Sequence, residues 1–332
     1  MYICKYCFQD EELCSAVDAG ANHEGVCDAS GKTGKLIDFS EYDDFFNAVL
    51  SLFVEDGRSN KTIVDILQDD WKLFASKEIA QVLLLQAISA GNYTFSINSF
   101  VDYKDFIKDR VSIWDKLKTD VKENFRFCPD IRAFLDGEYL QCGDNGLSEG
   151  DKLFRARIIP EGKTTLEPSE MGCPPRDKAT AGRANPIGIP YLYLCDSAKT
   201  TYYEVRAVYL DRLSVGTFKV LRPLKIVDFT HNVSLYNAYN SDVPFEDVVI
   251  RKKVVDAISA DLSKPLRRYD TELEYVPTQF ICEYCRHNLE ADGISFESSL
   301  HRGGRNYVLF DQSLVECTKV ETHEITKIDI DR

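Results

Sequence analysis

Residues 171–206 read MGCPPRDKATAGRANPIGIPYLYLCDSAKTTYYEVR, and their texture decides how the second half of the chain is read. The opening is crowded with Pro, Gly and small side chains, which punctuate rather than continue regular structure. It then runs into a short aromatic segment at 191–195, the pattern of a strand bounded by turn formers. Working outward, 154–159, 201–208, 217–220, 225–229, 293–296, 307–310 and 314–320 have the same short, β-branched and aromatic character. Two helical patterns, 246–262 and 278–291, interrupt them. Strands broken by only two helices, without regular alternation, predict an α+β fold rather than a doubly wound parallel sheet.

Upstream the periodicity changes. From about residue 38 to 127 the apolar residues recur at helical spacing. Phe45, Phe46, Val49, Leu50 and Phe53 form one stripe over 41–55, and 62–74 and 77–88 continue the pattern, with Gly91 as a stop signal. Phe106, Ile107, Val111, Trp114, Leu117 and Val121 give a further face over 103–125. Residues 128–150, broken by Pro, Gly and Asp-Asn-Gly, read as a connector. The predicted organisation is a zinc-ribbon-like segment at 1–35, a helical domain at 36–145 and an α+β domain at 146–332.

Over all 332 residues, 44% are hydrophobic and 28% charged, ordinary globular usage that argues against wholesale disorder. Forty basic against fifty-four acidic residues give a formal charge of −14. Such a chain repels a phosphate backbone, so non-specific nucleic-acid binding is disfavoured, whereas a local basic cleft for a small phosphorylated ligand is not. No apolar run is long enough to span a bilayer. The opening MYICKYCFQDEEL lacks the basic-then-apolar layout of a secretory signal, so a cytosolic location is expected.

Eleven cysteines are an odd count for a disulfide framework, and four of them fall in the first 27 residues. Cys4 and Cys7 form a C-x2-C pair, followed by His23 and Cys27 as H-x3-C. Three thiolates and an imidazole would fill a tetrahedral zinc and leave no open position, so the expected metal is structural. Cys14 competes with His23 as fourth ligand. The segment around them is too poor in apolar residues to fold without such a staple.

The charged residues of the second half fall at telling places. Gly182-Arg183-Ala184-Asn185-Pro186 holds one guanidinium among residues too small to bury it, ready to fork onto phosphate or carboxylate. Phe154-Arg155-Ala156-Arg157 adds two more. Ser298 and Ser299 stand at a strand end beside Gly303-Gly304, and Asn306 opens the next strand. The four histidines of this half, His231, His287, His301 and His323, lack ligand-like spacing.

In that order, Arg155, Gly182-Arg183-x-Asn185-Pro186, Tyr191-Leu-Tyr193-Leu, Glu204, Gly293-Ile294, Ser298 and Asn306-x-x-Leu-Phe310, the sequence resembles the RES domain. That family is named for Arg, Glu and Ser positions, and many members are toxins that destroy NAD. The resemblance covers 153 to about 325; the preceding residues look like the N-terminal extension of longer members. It implies an ADP-ribosyltransferase-like fold around a cleft for NAD, with the nicotinamide–ribose bond broken and phosphate or water as acceptor, in a toxin–antitoxin or phage-defence setting. Arg155, Arg183, Tyr193, Glu204 and Ser298 match the family's functional positions. Arg157, Asn185 and Asn306 join Arg155, Arg183, Tyr193 and Ser298 in the expected NAD-binding set. Arg157 can share the role of Arg155, Tyr191 competes with Tyr193, and Ser299 with Ser298. Where longer members commonly carry a second C-x-x-C, this chain has Ser30 three residues after Cys27, which makes His23 the expected substitute ligand.

Chemistry agrees with these assignments. The NAD diphosphate calls for fixed cations, and a carboxylate near the ribose can stabilise the positive charge that builds as nicotinamide leaves. An aromatic face such as Tyr193 can cover the nicotinamide ribose. Ser298 is expected to orient that ribose, since no His–carboxylate partner makes it a nucleophile. The same site would serve mono-ADP-ribosyl transfer to a protein. A ribonuclease built on the helical middle is disfavoured by the acidity and by the absence of an Arg and a His with four to six residues between them. Residues 1–150 offer a docking surface for an antitoxin or regulatory partner, and a homodimer is the default assembly.

Overall fold

The computed structural model describes residues 1–126, 134, 139, 140, 146–230, 232–264 and 271–327. It divides into two compact units, Met1–Ser112 with Asn232–Lys253, and Ile113–His231 with Val254–Arg332. Most of the expected connector at 128–150, and His231, lie outside the described residues.

The first unit begins with more structure than the sequence suggested. Strands β1 (Tyr2–Ile3), β2 (His23–Val26) and β3 (Thr33–Asp38) form an antiparallel sheet in the order β1-β3-β2. Between β1 and β2 lies a helix, Glu11–Gly20, which the polar composition concealed. Its two buried apolar residues, Leu13 and Val17, stand four apart on one face. The Asp10 side chain caps it by accepting from the Leu13 amide at 3.1 Å.

The expected helix over 41–55 ends at Leu50. Phe53 instead opens strand β4 (Phe53–Glu55), which pairs with β5 (Val101–Tyr103), so β-forming residues that find a partner strand leave the helix. The expected helix over 103–125 is likewise broken. After β5 come helices Asp105–Val111 and Ile113–Thr119 and a wider turn at Asp120–Asn124. At the first break the Ser112 hydroxyl donates to the Asp109 carbonyl at 2.6 Å, a local bond that competes with helical continuation. Phe106, expected on the core face, is 46% exposed. Helix Lys77–Ala90 runs as expected to its C-cap at Gly91.

Packing in this unit is aromatic. Phe45 sits edge-on to Phe46, Tyr236 and Tyr239 with ring centroids 5.1, 5.2 and 5.5 Å apart. Tyr236 and Tyr239 belong to the helix Leu235–Tyr239, so a distant segment completes the core. Asp10 fastens the same segment: it accepts from the Ser234 hydroxyl at 2.7 Å and from the amides of Leu235 and Tyr236 at 2.8 and 3.3 Å. One buried carboxylate therefore serves the first turns of two helices. Asp10→Ala is expected to lower the unfolding free energy by about 2–4 kcal/mol, the loss of two caps plus the amides left unpaired. Asp10→Asn, which keeps an acceptor, should cost less; urea unfolding of the two variants checks both.

The second unit is built on one sheet. Strands β6 (Lys152–Ile158), β7 (Leu192–Cys195), β8 (Arg212–Val220), β9 (Ile226–Asp228), β10 (Gly293–Glu297), β11 (Arg305–Leu309) and β12 (Val315–Glu324) lie in the order β12-β8-β6-β7-β11-β10-β9. Every neighbouring pair is antiparallel except β9 and β10. A parallel pair needs a crossover, and helices Phe245–Ser263 and Val276–Asn288 fall in the chain between them. The architecture is the α+β one expected.

Alternation along β6 and β8 sends Leu153, Phe218 and Val220 to one face with Leu192 and Leu194. Ala156, Leu213 and Val215 go to the other, where Phe154, Ala198, Tyr202 and Val205 cover them. Among the described residues no helix is long and apolar enough to cross a membrane.

Candidate active site

The second face of the sheet carries a row of residues paired straight across four strands. Phe154 pairs with Cys195, Cys195 with Asn306, and Asn306 with Phe296. Among the described residues β6 and β7 share only the Phe154–Cys195 register partner, so the sheet splays beyond it. A cavity of about 380 Å³ opens there, lined by that row together with Arg155, Gly182, Arg183, Tyr193 and Glu204.

One wall is the 182–185 loop. The Tyr193 hydroxyl donates to Asn185 Oδ1 at 2.8 Å and accepts from the Ala184 amide at 3.1 Å. Asn185 Nδ2 donates back to the Thr180 and Pro186 carbonyls at 3.0 and 3.2 Å, so this buried side chain is spent on the loop rather than presented to the cavity. Gly182 is required by proximity: a Cβ there would lie 2.5 Å from Asn185 Oδ1 and 2.6 Å from the Tyr193 hydroxyl. Burial pushes the Tyr193 phenol above its ordinary range, so it remains a neutral donor at neutral pH. Tyr193→Phe leaves the Asn185 oxygen and the Ala184 amide without this partner, and is expected to cost about 1–3 kcal/mol of stability in urea unfolding.

Opposite stands Glu204. The segment 201–208, expected as a strand because of its threonines and tyrosines, instead gives its first four residues to the helix Ala198–Glu204 and leaves 205–208 without regular structure. Ser197 starts it, its hydroxyl accepting from the Thr200 amide at 3.2 Å. Apolar residues of this segment, Ala198, Tyr202 and Val205, cover Ala156 and Val215, and burial on the sheet overrides β-propensity. The helix thus delivers Glu204 from its last turn to the cavity.

Glu204 Oε1 accepts from the Ser298 hydroxyl at 2.6 Å and from Asn306 Nδ2 at 2.9 Å. Both donors are themselves fixed. Ser298 Oγ accepts from the amides of Leu300 and His301 at 3.3 and 3.1 Å, which leaves its one proton for Glu204. Asn306 Oδ1 accepts from the Cys195 thiol at 3.3 Å, and burial, with Glu204 nearby, holds that thiol protonated. Two side chains about a hundred residues from Glu204 in sequence therefore converge on one of its carboxylate oxygens.

The arginines are more committed than the sequence implied. Arg155 borders the cavity, yet its Nη1 donates to the Gly172 carbonyl at 3.1 Å, and Arg157 Nη2 donates to the same oxygen at 2.6 Å. Burial, then the neighbouring Arg157, lowers the Arg155 guanidinium to about 10, which keeps it charged at neutral pH. Arg157 does not line the cavity. Arg183 does, while its Nη1 donates to the Leu262 and Ser263 carbonyls at 3.0 and 3.2 Å, closing the C-terminus of helix Phe245–Ser263 as a cation should. That last turn is anchored in turn: Trp114 Nε1 and Lys118 Nζ donate to Asp261 at 2.7 and 2.9 Å, and the Ser263 hydroxyl donates to the Glu297 carbonyl, next to Ser298, at 2.9 Å.

Two participants were not anticipated. Gln279 Nε2 donates to the Gly182 and Asn185 carbonyls at 2.8 and 3.0 Å and so clamps the loop. Tyr275 lines both this cavity and a second, more polar one of about 290 Å³, which also shares Arg183. Neither carries a local motif, and only the tertiary fold brings them in. His301 stacks on Tyr203 at 4.8 Å with Nδ1 3.0 Å from Thr200 Oγ1, and His323 Nδ1 lies 2.6 Å from the Tyr202 hydroxyl; both are engaged in packing contacts.

In the first unit, the ligand atoms of Cys4, Cys7 and Cys27 lie within 4.8 Å of one another, and all three residues are buried. Three converging sulfurs suit a thiophilic metal such as zinc. Burial raises the Cys7 thiol; at Cys27 the same effect is outweighed by hydrogen bonds from Ser30 and the Ala29 amide, which bring it to about 7. His23 is not brought to this group: it is exposed on β2, with Nδ1 2.9 Å from Asn22 Oδ1 and its ring edge-on to Tyr2. Cys14 also stands apart, its thiol donating to the Lys5 and Phe8 carbonyls at 3.3 and 3.4 Å.

Residues 152–329 match the family model described as the RES domain. No curated protein matches the chain. Among solved structures, a chain of the crystal structure of the M. tuberculosis MbcT–MbcA toxin–antitoxin complex is similar at 14% identity, covering 55% of this chain and 87% of that one, with a TM-score of 0.30.

Proposed function

Since this chain belongs to the RES-domain family, we propose that its cavity binds NAD and breaks the bond between nicotinamide and ribose, the activity of an NAD-degrading toxin. The observation that carries the proposal is the meeting of Glu204, Arg155 and Arg183 around one cavity. A carboxylate alone would suit many ligands. Joined to two guanidiniums at the edge, it suits a ligand with anionic phosphates at one end and a developing cation at the other.

In this reading Glu204 faces the nicotinamide ribose. As the glycosidic bond breaks, nicotinamide leaves with the bonding pair and positive charge spreads over the ribose C1′ and ring oxygen. Glu204 stabilises that charge, with Ser298 and Asn306 holding its Oε1 in place. An oxygen of water or of phosphate then bonds to C1′, giving ADP-ribose with release of a proton, or the phosphorylated ADP-ribose. Arg183 and Arg155 meet the diphosphate. Tyr193, fixed by Asn185, shapes the pocket wall and excludes water. Ser298 acts as a positioning residue. Cys4, Cys7 and Cys27 would hold a structural zinc that supports folding of the first unit. A toxin needs restraint, and residues 1–150 are proposed as the docking surface for an antitoxin or other regulatory protein.

Incubating the full chain with NAD, in phosphate and in phosphate-free buffer, and identifying products by mass spectrometry tests the reading. Nicotinamide must appear in at least one buffer, and its partner product distinguishes water from phosphate. Intact NAD in both buffers refutes the proposal; an ADP-ribose mass added to a protein would replace it with ADP-ribosylation.

A further inference from the structure

The three thiolates leave one corner of a tetrahedron to be supplied, and the residues expected to supply it, His23 or Cys14, are turned elsewhere. The side-chain oxygen found beside the thiols is that of Ser30. Its hydroxyl oxygen lies 3.3 Å from Cys4 Sγ, and its amide donates to Cys27 Sγ at 3.4 Å. On the other edge Cys7 Sγ lies 3.4 Å from Cys27 Sγ.

These edges can be compared with what a metal requires. Zinc–sulfur bonds of about 2.3 Å and a zinc–oxygen bond of about 2.0 Å place tetrahedral ligands about 3.8 Å apart for two sulfurs and about 3.5 Å apart for sulfur and oxygen. The Cys4–Ser30 and Cys7–Cys27 distances fall within a few tenths of an ångström of those values, as two opposite edges of a four-ligand site would require. The spacing repeats as well: Cys4-x2-Cys7 is answered by Cys27-x2-Ser30, so each pair contributes its second ligand from the turn that follows the first.

We propose that Ser30 Oγ is the fourth ligand of a three-thiolate, one-oxygen zinc site formed with Cys4, Cys7 and Cys27. The inference concerns the metal alone and stands independently of the NAD reading. A neutral hydroxyl donates less charge than a fourth thiolate, so the metal is held less tightly than at a four-cysteine site, and restoring the missing sulfur strengthens it.

The test uses the full chain loaded with cobalt(II) in place of zinc, read by absorption, with zinc retention against a chelator measured in parallel. The wild type should bind one equivalent with tetrahedral d–d bands. Ser30→Cys should raise the sulfur-to-cobalt charge-transfer intensity by about one third, as three thiolates become four, and hold zinc at least about tenfold more tightly. Ser30→Ala should keep the three-thiolate intensity, shift the d–d bands and weaken binding. His23→Ala should change nothing. The proposal is overturned by a wild type that binds no metal, by d–d bands indifferent to Ser30→Ala, by an unchanged charge-transfer band in Ser30→Cys, or by metal loss in His23→Ala. Should Ser30→Cys fail to fold, the Ser30→Ala and His23→Ala spectra decide it.

Discussion

Replacing Glu204 by glutamine is expected to lower nicotinamide release from NAD by about 10²–10³-fold, the usual cost of losing one electrostatic stabiliser of a transition state. Glutamine keeps a side-chain oxygen of the same reach, so it can still accept from Ser298 and Asn306, which now hold Oε1 at 2.6 and 2.9 Å. What it removes is the negative charge proposed to face the ribose. The loss should fall on kcat, because the carboxylate matters most when positive charge has developed, and KM should change little. An unchanged urea midpoint separates this effect from unfolding. Ser298→Ala leaves the charge and releases its orientation, so a smaller loss is expected, again in kcat.

Arg183→Ala is expected to raise KM for NAD by about 10–100-fold, the scale of a lost charge-assisted contact to phosphate. The same change removes the donor that closes helix Phe245–Ser263 at the Leu262 and Ser263 carbonyls. A capping loss of about 1 kcal/mol should therefore accompany it in urea unfolding. Nicotinamide mononucleotide separates the two effects, because it contains the scissile bond but lacks the diphosphate bridge. If Arg183 acts on the diphosphate, KM for the mononucleotide should move much less than KM for NAD. Equal shifts for both would assign the arginine to the helix end alone.

Much of the second unit could be read from the chain because its signals are local. Seven strand patterns, among them the aromatic run ending at Cys195, are short β-branched or aromatic stretches between turn formers, and each found its place in one sheet. The segment around Glu204 misled for the opposite reason. Its Thr and Tyr content favours a strand, whereas the Ser197 cap and burial against Ala156 and Val215 made a helix. The order of Arg183, Glu204, Ser298 and Asn306 was visible, but not that Ser298 and Asn306 would meet on one oxygen of Glu204, since that contact depends on the pairing of β10 with β11. Nor could spacing show that Asn185 would be spent on its own loop, or that Asp10 would serve two helices 224 residues apart through Ser234. His23 has the ligand type and spacing, but it is exposed on β2, and the turn after Cys27 brings Ser30 beside the thiols instead. Capping, pairing and packing decide such matters, and they are properties of the assembled fold.

Mass-spectrometric analysis of NAD incubated with the wild-type chain and with Glu204→Gln tests the central claim most directly. The cavity as described predicts free nicotinamide with ADP-ribose or its phosphorylated form from the wild type, and a loss of about 10²–10³-fold in the variant. Undiminished nicotinamide release by folded Glu204→Gln, or intact NAD after incubation with the wild type, would contradict it.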